Sequence, residues 1–313
     1  MDKVIDPIPL DVIESELTNE RFVRYSNFGN NEIYIVNAHN SPNLMKEIGR
    51  LREISFRTAG GGTGKSIDID LYDTCENPYN QLIVWNPEDK EIVGGYRYKI
   101  CNSNVTDENG NINIATGSLF EFSDEFISDY LPYLIELGRS FVQPKYQSVV
   151  SVRKNIFSLD NLWDGLGALV VDNPSVKYFF GKVTMYNTFN VEARDIILYF
   201  LKTFCPDNKR LVFPKEPIQL ITKEEKLKEL FKGANYEENY KILSQSVRVL
   251  GENIPPLVNS YMNLSPTMMT FGTSLNHKFG EVEETGIMVT INDIYQSKKD
   301  RHINSYDITR TRK

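Results

Sequence analysis

Apolar and polar positions change period along the chain often enough to mark out most of its elements. NEIYIVNA (31–38) reads as a strand. Ser41-Pro42 then has the form of an N-cap and a first-turn proline. Leu44, Ile48 and Leu51 follow on one face of a helix running to about Arg57. The glycine run AGGGTGK (59–65) ends that helix, and SIDIDLYD (66–73) alternates as a half-buried strand or extended loop does. QLIVW (81–85), the turn NPEDK (86–90) and EIVGGYRYKI (91–100) predict a β-hairpin, followed by a polar loop over 102–113. FISDYLPYLI (126–135) predicts a short helix and ELGRSFV (136–142) a strand. A helix over 159–174, a strand over 177–186 and an amphipathic helix over 191–205 follow. The order β-α-ββ-(α)-β-α-β-α predicts a mixed α/β layer.

The texture changes after Cys205-Pro206. Residues 221–233 and 236–252 read as two polar-faced helices, 254–272 is apolar but broken by prolines, and TGIMVTIND (285–293) is a last strand. This divides the chain into a core over 1–205 and a C-terminal extension over 206–313 that packs on it. From Lys298 to Lys313 six Lys/Arg face two Asp, giving a loose basic tail on a chain of net charge −7. That overall charge argues against general nucleic-acid binding. Cys75, Cys101 and Cys205 show no metal spacing, and an odd count fits a reducing, cytoplasmic setting. Cys75 and Cys101 read as buried filler. The acid-rich first twenty residues do not form a secretory signal, and the longest apolar runs, such as LGALVV (166–171), are far too short to span a bilayer.

AGGGTGKS (59–66) matches the relaxed pattern of a phosphate-binding loop, but its flanks do not. A charged helical segment precedes it where a buried strand belongs, and IDIDLYD follows with acids where the positive end of a helix belongs. A plain or site-adjacent glycine loop is the better reading.

The remaining signal is charge on otherwise apolar elements. Arg52 and Phe56 share a helical face. Asp68, Asp70 and Asp73 crowd one segment, Arg97 lies late in the hairpin, and Glu136 and Arg139 lie on a strand. Unpaired buried ions are costly, so these charges are expected to meet one another. Two readings stay open: an ion-pair network that only holds the fold, and a polar pocket for a small zwitterionic or carboxylate substrate held by arginine forks.

These residues resemble a family. Arg52…Phe56, Asp70-Leu-Tyr-Asp73, Arg97 and Glu136-Leu-Gly-Arg139 follow the pattern of acyl-homoserine-lactone synthases and of the ornithine/glycine N-acyltransferases of bacterial aminolipid synthesis, both in the GNAT-like superfamily. Glu136 to Tyr146, GGGTGKSIDIDLYD and IPPLVNSYMNLSP look most like the glycine-lipid, hemolysin-like members from Bacteroidetes. The likeness covers about residues 30–290. It implies an α/β fold with a GNAT-like, splayed central sheet flanked by helices, and an α-rich C-terminal extension. It implies transfer of a long, 3-hydroxylated acyl chain onto an amino acid, glycine before ornithine. No tightly bound cofactor and no metal are expected. GNAT enzymes that use coenzyme A carry a glycine-containing pyrophosphate loop, whereas this chain has QSVVSVRK (147–154). That favours acyl carrier protein over coenzyme A as thioester donor, with Arg153 or Lys154 meeting its single phosphate; an ordinary loop surface is the rival reading. Peripheral contact with the inner membrane is compatible with such a product.

On this resemblance Glu136 is the candidate general base, with Arg139 beside it in the catalytic pair; a structural salt bridge between the two is the rival role. Arg52, Phe56, Asp70, Asp73 and Arg97 are candidate substrate-binding residues, and Tyr186 is a candidate donor to the leaving thiolate. Backbone N–H groups where the sheet splays would meet the oxyanion. No His-x4-Asp of glycerolipid O-acyltransferases and no HExxH occurs. A lactone-type signal synthase is disfavoured by the extra hundred residues, and a non-catalytic membrane module remains as the alternative of another class.

Overall fold

The computed structural model describes residues 1–102, 105–106, 111–147 and 157–307. In chain order its elements begin α1 (Leu10–Glu16), β1 (Phe22–Tyr25), β2 (Glu32–Val36), α2 (Pro42–Ala59), α3 (Leu71–Thr74), β3 (Asn80–Asn86) and β4 (Glu91–Cys101). Then come β5 (Phe120–Phe122), β6 (Leu134–Val142), α4 (Ser158–Asp172), β7 (Tyr178–Met185), α5 (Val191–Phe204) and β8 (Val212–Pro214). The last are α6 (Glu224–Leu230), α7 (Tyr236–Val249), α8 (Pro256–Met262), β9 (Met269–Asn276), β10 (Val282–Thr290) and α9 (Gln296–His302). They form two compact units that interleave in sequence, and residue 205 is not a boundary between them. One unit holds Met1–Cys101, Ile135–Lys177 and Tyr295–Lys313; the other holds Asn102–Leu134 and Tyr178–Ile294.

The first unit is a three-layer α/β/α sandwich. Its strands run in the order β1-β2-β3-β4-β6, with antiparallel pairing from β1 to β4. Strand side chains alternate between faces, and β3 shows both. Leu82 points at α4, where a Cβ added to Gly165 would lie 2.6 Å from it. Gln81 points the other way and reaches Arg52 of α2. Helix α2 is buried on more than one face: Leu44, Ile48 and Leu51 are sealed, and so are Arg52 and Glu53. Its entry follows the sequence reading, with Ser41 at the N-cap and Pro42 in the first turn. Ser41 makes no side-chain cap bond. Glu16 supplies the carboxylate instead, accepting from the backbone N–H groups of Asn43 (3.2 Å) and Leu44 (2.7 Å).

Residues 66–73 are not a strand. They run as irregular chain into the single turn of α3, because Asp70 and Asp73 form a reciprocal capping box that starts a helix there. The segment 126–135 is a short π and 3₁₀ stretch rather than an α-helix, and β6 begins at its end.

The C-terminal stretch is not wholly loose either. Helix α9 packs on α4, and His302 is buried with its Nδ1 2.8 Å from Asp164 Oδ1. Arg301 pairs with Asp160 at 2.6 Å. Gly167 makes the approach possible, since an added Cβ would lie 2.0 Å from the His302 carbonyl oxygen.

The second unit pairs β7 with β10 and β10 with β9, all antiparallel, and β5 with β8 separately. Helix α5 packs on α7 and β9. Phe200, Phe204, Phe231 and Tyr236 form an aromatic cluster there with centroids 4.6–6.4 Å apart. Met262 and Met268 are buried in this unit. Among the described residues no helix is long and apolar enough to cross a membrane.

Candidate active site

Three arginines and three aspartates from α2, the 66–73 segment, β4 and β6 meet inside the first unit. Arg52 is fully buried; its Nη1 lies 3.3 and 3.4 Å from the two Asp73 oxygens, and its Nη2 donates a short hydrogen bond to the side-chain Oε1 of Gln81. Gln81 donates back to Asp73 at 3.0 Å. Arg97 Nη1 lies 2.7 Å from Asp70 and 3.2 Å from Asp73. Arg139 Nε lies 2.9 Å from Asp68, and its Nη2 lies 3.6 Å from Asp70. The register explains the meeting on the sheet, because Gln81 stands opposite Arg97 across β3 and β4.

Burial and charge compete in this cluster, and charge wins at Asp73. Burial acts to raise its pKa, but Arg52, Arg97 and the Asp70 N–H together hold it at about 2. Burial likewise works against the Arg97 charge, and Asp73 and Asp70 more than offset it, so its pKa is raised. At Arg52 burial prevails over Asp73 and Asp68, and its pKa is lowered.

Solvent access grades across the cluster. The side chains of Arg52 and Asp73 are 1% and 0% exposed, whereas Arg139 is 15% and Asp70 is 32% exposed. The outer edge is therefore an Asp70–Arg139 pair of opposite charge. Arg139 has φ +47°, which breaks the pleat of β6. A left-handed residue costs roughly 1–2 kcal/mol, and its ion pairs hold it there. Two residues three apart on a regular strand point to opposite faces, so this break is what turns the Arg139 guanidinium to Asp68 and Asp70. Among the described residues, nothing lies within 4 Å of a Cβ added to Gly138 beside it.

Glu136 is 1% exposed and accepts a short hydrogen bond from the Tyr79 hydroxyl. The Tyr79 ring lies under the Arg97 guanidinium at 5.2 Å, and the Tyr72 ring lies 5.7 Å from the same group. Burial, with Glu136 and Asp70 nearby, raises the Tyr72 phenol.

The protein comparisons bear on what this site does. The description Acetyltransferase (GNAT) domain matches residues 51–154, the stretch that carries the cluster from Arg52 to Arg139. A protein of Bacteroides thetaiotaomicron named glycine N(alpha)-acyltransferase is 55% identical over 306 residues, covering 98% of this chain and 91% of that protein. One of the same name from Phocaeicola vulgatus is 53% identical over 306 residues, covering 98% and 94%. The chain belongs to this acyltransferase family. No solved structure matches it.

The acyltransferase thus places five of its seven sequence-predicted cluster residues, Arg52, Asp70, Asp73, Arg97 and Arg139, in one ion-pair network, with Asp68 as a sixth member. Glu136 joins through Tyr79. Phe56 lies buried one turn beyond Arg52 on α2. Arg153 and Lys154 lie outside the described residues. Tyr79 and Gln81 were missed, because reading for charge passes over neutral partners; their one signal was polar side chains at the start of an otherwise apolar strand.

One further expectation is corrected. Cys75 is exposed, not buried, and its thiol donates to the Asn77 carbonyl at 3.3 Å. Burial and the Glu284 charge push the Tyr186 phenol up to about 12. Cys101 and Cys205 are buried, and burial pushes both thiols up, Cys205 to about 12. The glycine loop closes on the protein's own carboxylate. Fully buried Glu53 accepts from Thr63 N (3.0 Å), Thr63 Oγ1 (2.7 Å) and Gly64 N (2.8 Å). The N–H groups a phosphate would need are already used, and Gly62 supplies the φ of +97° that lets the loop curl. Among the described residues, no group of three or more His, Cys, Asp or Glu is arranged to hold a metal ion.

Proposed function

We propose that the protein moves a long, 3-hydroxylated acyl chain from acyl carrier protein to the amino group of glycine, with ornithine as second acceptor, in aminolipid synthesis. The name of its two relatives supports the acceptor. The observation that carries the reading is the Asp70–Arg139 pair, a carboxylate and a guanidinium 3.6 Å apart on the open edge of a sealed cluster. Glycine is a zwitterion with its two charges one carbon apart. Asp70 takes the ammonium, and Arg139 forks the carboxylate. Arg52, Asp73 and Gln81 hold that pair in place from behind, and Phe56 backs Arg52.

The chemistry then needs a neutral amine. Glu136 takes a proton from the ammonium, directly or through one water. The amine nitrogen attacks the thioester carbonyl and a C–N bond forms. Backbone N–H groups at the irregular Gly138–Arg139 segment meet the oxyanion. The C–S bond breaks, the thiolate takes the second ammonium proton, and an amide and a free thiol leave. No tightly bound cofactor takes part.

The sequence favours a carrier-protein donor over coenzyme A, since QSVVSVRK (147–154) lacks the glycines of a pyrophosphate loop. Arg153 or Lys154 meets the single phosphate of a carrier-borne phosphopantetheine, and a lipid product accords with peripheral contact at the inner membrane. Mass spectrometry of lipid extracts tests the reading. Cells expressing the chain should contain a new N-(3-hydroxyacyl)glycine that is absent with Arg139→Ala. No new N-acyl amino acid in the wild-type extract would contradict it.

A further inference from the structure

We infer that Tyr79 is a positioning residue for acyl transfer: its hydroxyl fixes the Glu136 carboxylate, and its ring is held for that task by cations and by the acceptor-binding turn. The inference rests on the reading of Glu136 as the base. Tyr79 is 3% exposed and stands just before β3. Its backbone N–H donates to the Tyr72 carbonyl at 2.8 Å, tying it to α3, the turn that Asp70 caps. Its ring is in contact from three directions. The Arg97 guanidinium lies 5.2 Å and the Lys99 ammonium 5.7 Å from its centroid, and the Tyr72 ring meets it edge-on at 5.4 Å. Arg97 and Lys99 are two apart on β4 and so share a face. Lys99 is itself anchored on the Asn77 carbonyl at 2.8 Å.

A phenol held in this way donates its proton to the buried Glu136 oxygen. Cations over the ring draw electron density from it and make the O–H a stronger donor. One Glu136 oxygen is thereby committed to Tyr79, which fixes the plane of the carboxylate and the direction of its second oxygen. Removing the hydroxyl leaves the buried ring and its cation contacts in place but releases that constraint. A base set loose by even an ångström loses rate steeply.

A double-mutant cycle tests this, using the purified full chain, acyl carrier protein thioester and glycine, with melting temperature as the check on folding. Tyr79→Phe is expected to lower kcat by about tenfold or more with little change in the KM for glycine. In a Glu136→Gln background the same substitution is expected to change the residual kcat by less than about twofold, since the group it positions is gone. Equal losses in both backgrounds would mean that Tyr79 only supports the fold, and would overturn the inference. So would a harmless Tyr79→Phe beside a disabling Glu136→Gln, which leaves the base reading intact. A Glu136→Gln enzyme of near wild-type turnover would instead remove the base reading and this inference with it.

Discussion

At the scale of single residues the cluster separates into parts that hold and parts that reach. Arg52 and Asp73 have almost no exposure, and Arg139 and Asp70 keep some. Breaking a buried pair from one side leaves an uncompensated ion, which typically costs about 3–5 kcal/mol. Arg52→Ala is therefore expected to lower the melting temperature sharply. Arg139→Ala takes a partner from buried Asp68 and should also melt lower, but by less than Arg52→Ala because Arg139 is partly solvated, and it should lose about a hundredfold in kcat/KM for glycine. Thermal melts paired with steady-state kinetics separate the two. Asp73 makes a pH prediction. Its pKa is held at about 2 against a usual 3.8, so the unfolded chain takes up the proton first as pH falls. The stabilisation from its ion pairs is complete above about pH 4 and is lost as pH drops towards 2, an effect on the order of 2 kcal/mol. Asp73→Asn should melt lower at neutral pH and show a flatter acid limb in melting temperature against pH.

At the scale of elements, local pattern was legible wherever one face decides the structure. Helix α2, the β3–β4 hairpin, α4, β7 and α5 all follow from period and end signals close in sequence. The segment 66–73 left strand and extended loop both open, because alternation cannot distinguish a strand from a capped turn when Asp70 and Asp73 cap each other. Asp70, Arg97 and Arg139 could be gathered from sequence by the rule that buried charges pair, but which aspartate meets which arginine depended on β6 leaving its pleat at Arg139. Tyr79 and Gln81 carry no charge and escaped. Helix α9 escaped too, because its partners Asp160 and Asp164 lie about 140 positions away. Gly167 offers the test of that contact. Gly167→Ala places a Cβ 2.0 Å from the His302 carbonyl, so it should detach residues 296–302 and raise their hydrogen-exchange rates while α2 keeps its protection. Unchanged exchange would mean that α9 does not depend on this approach.

At the scale of the whole molecule, the first unit draws on three separated stretches of chain, and that is why a site spread from Arg52 to Arg139 closes within one body. The central claim is that this site acylates a zwitterionic amino acid. The most direct measurement incubates the purified chain with 3-hydroxyacyl-acyl carrier protein and equal amounts of isotope-labelled glycine and ornithine, and weighs the products. The account predicts labelled N-(3-hydroxyacyl)glycine as the main product. Product carrying neither amino acid, or free hydroxy acid alone, would contradict it.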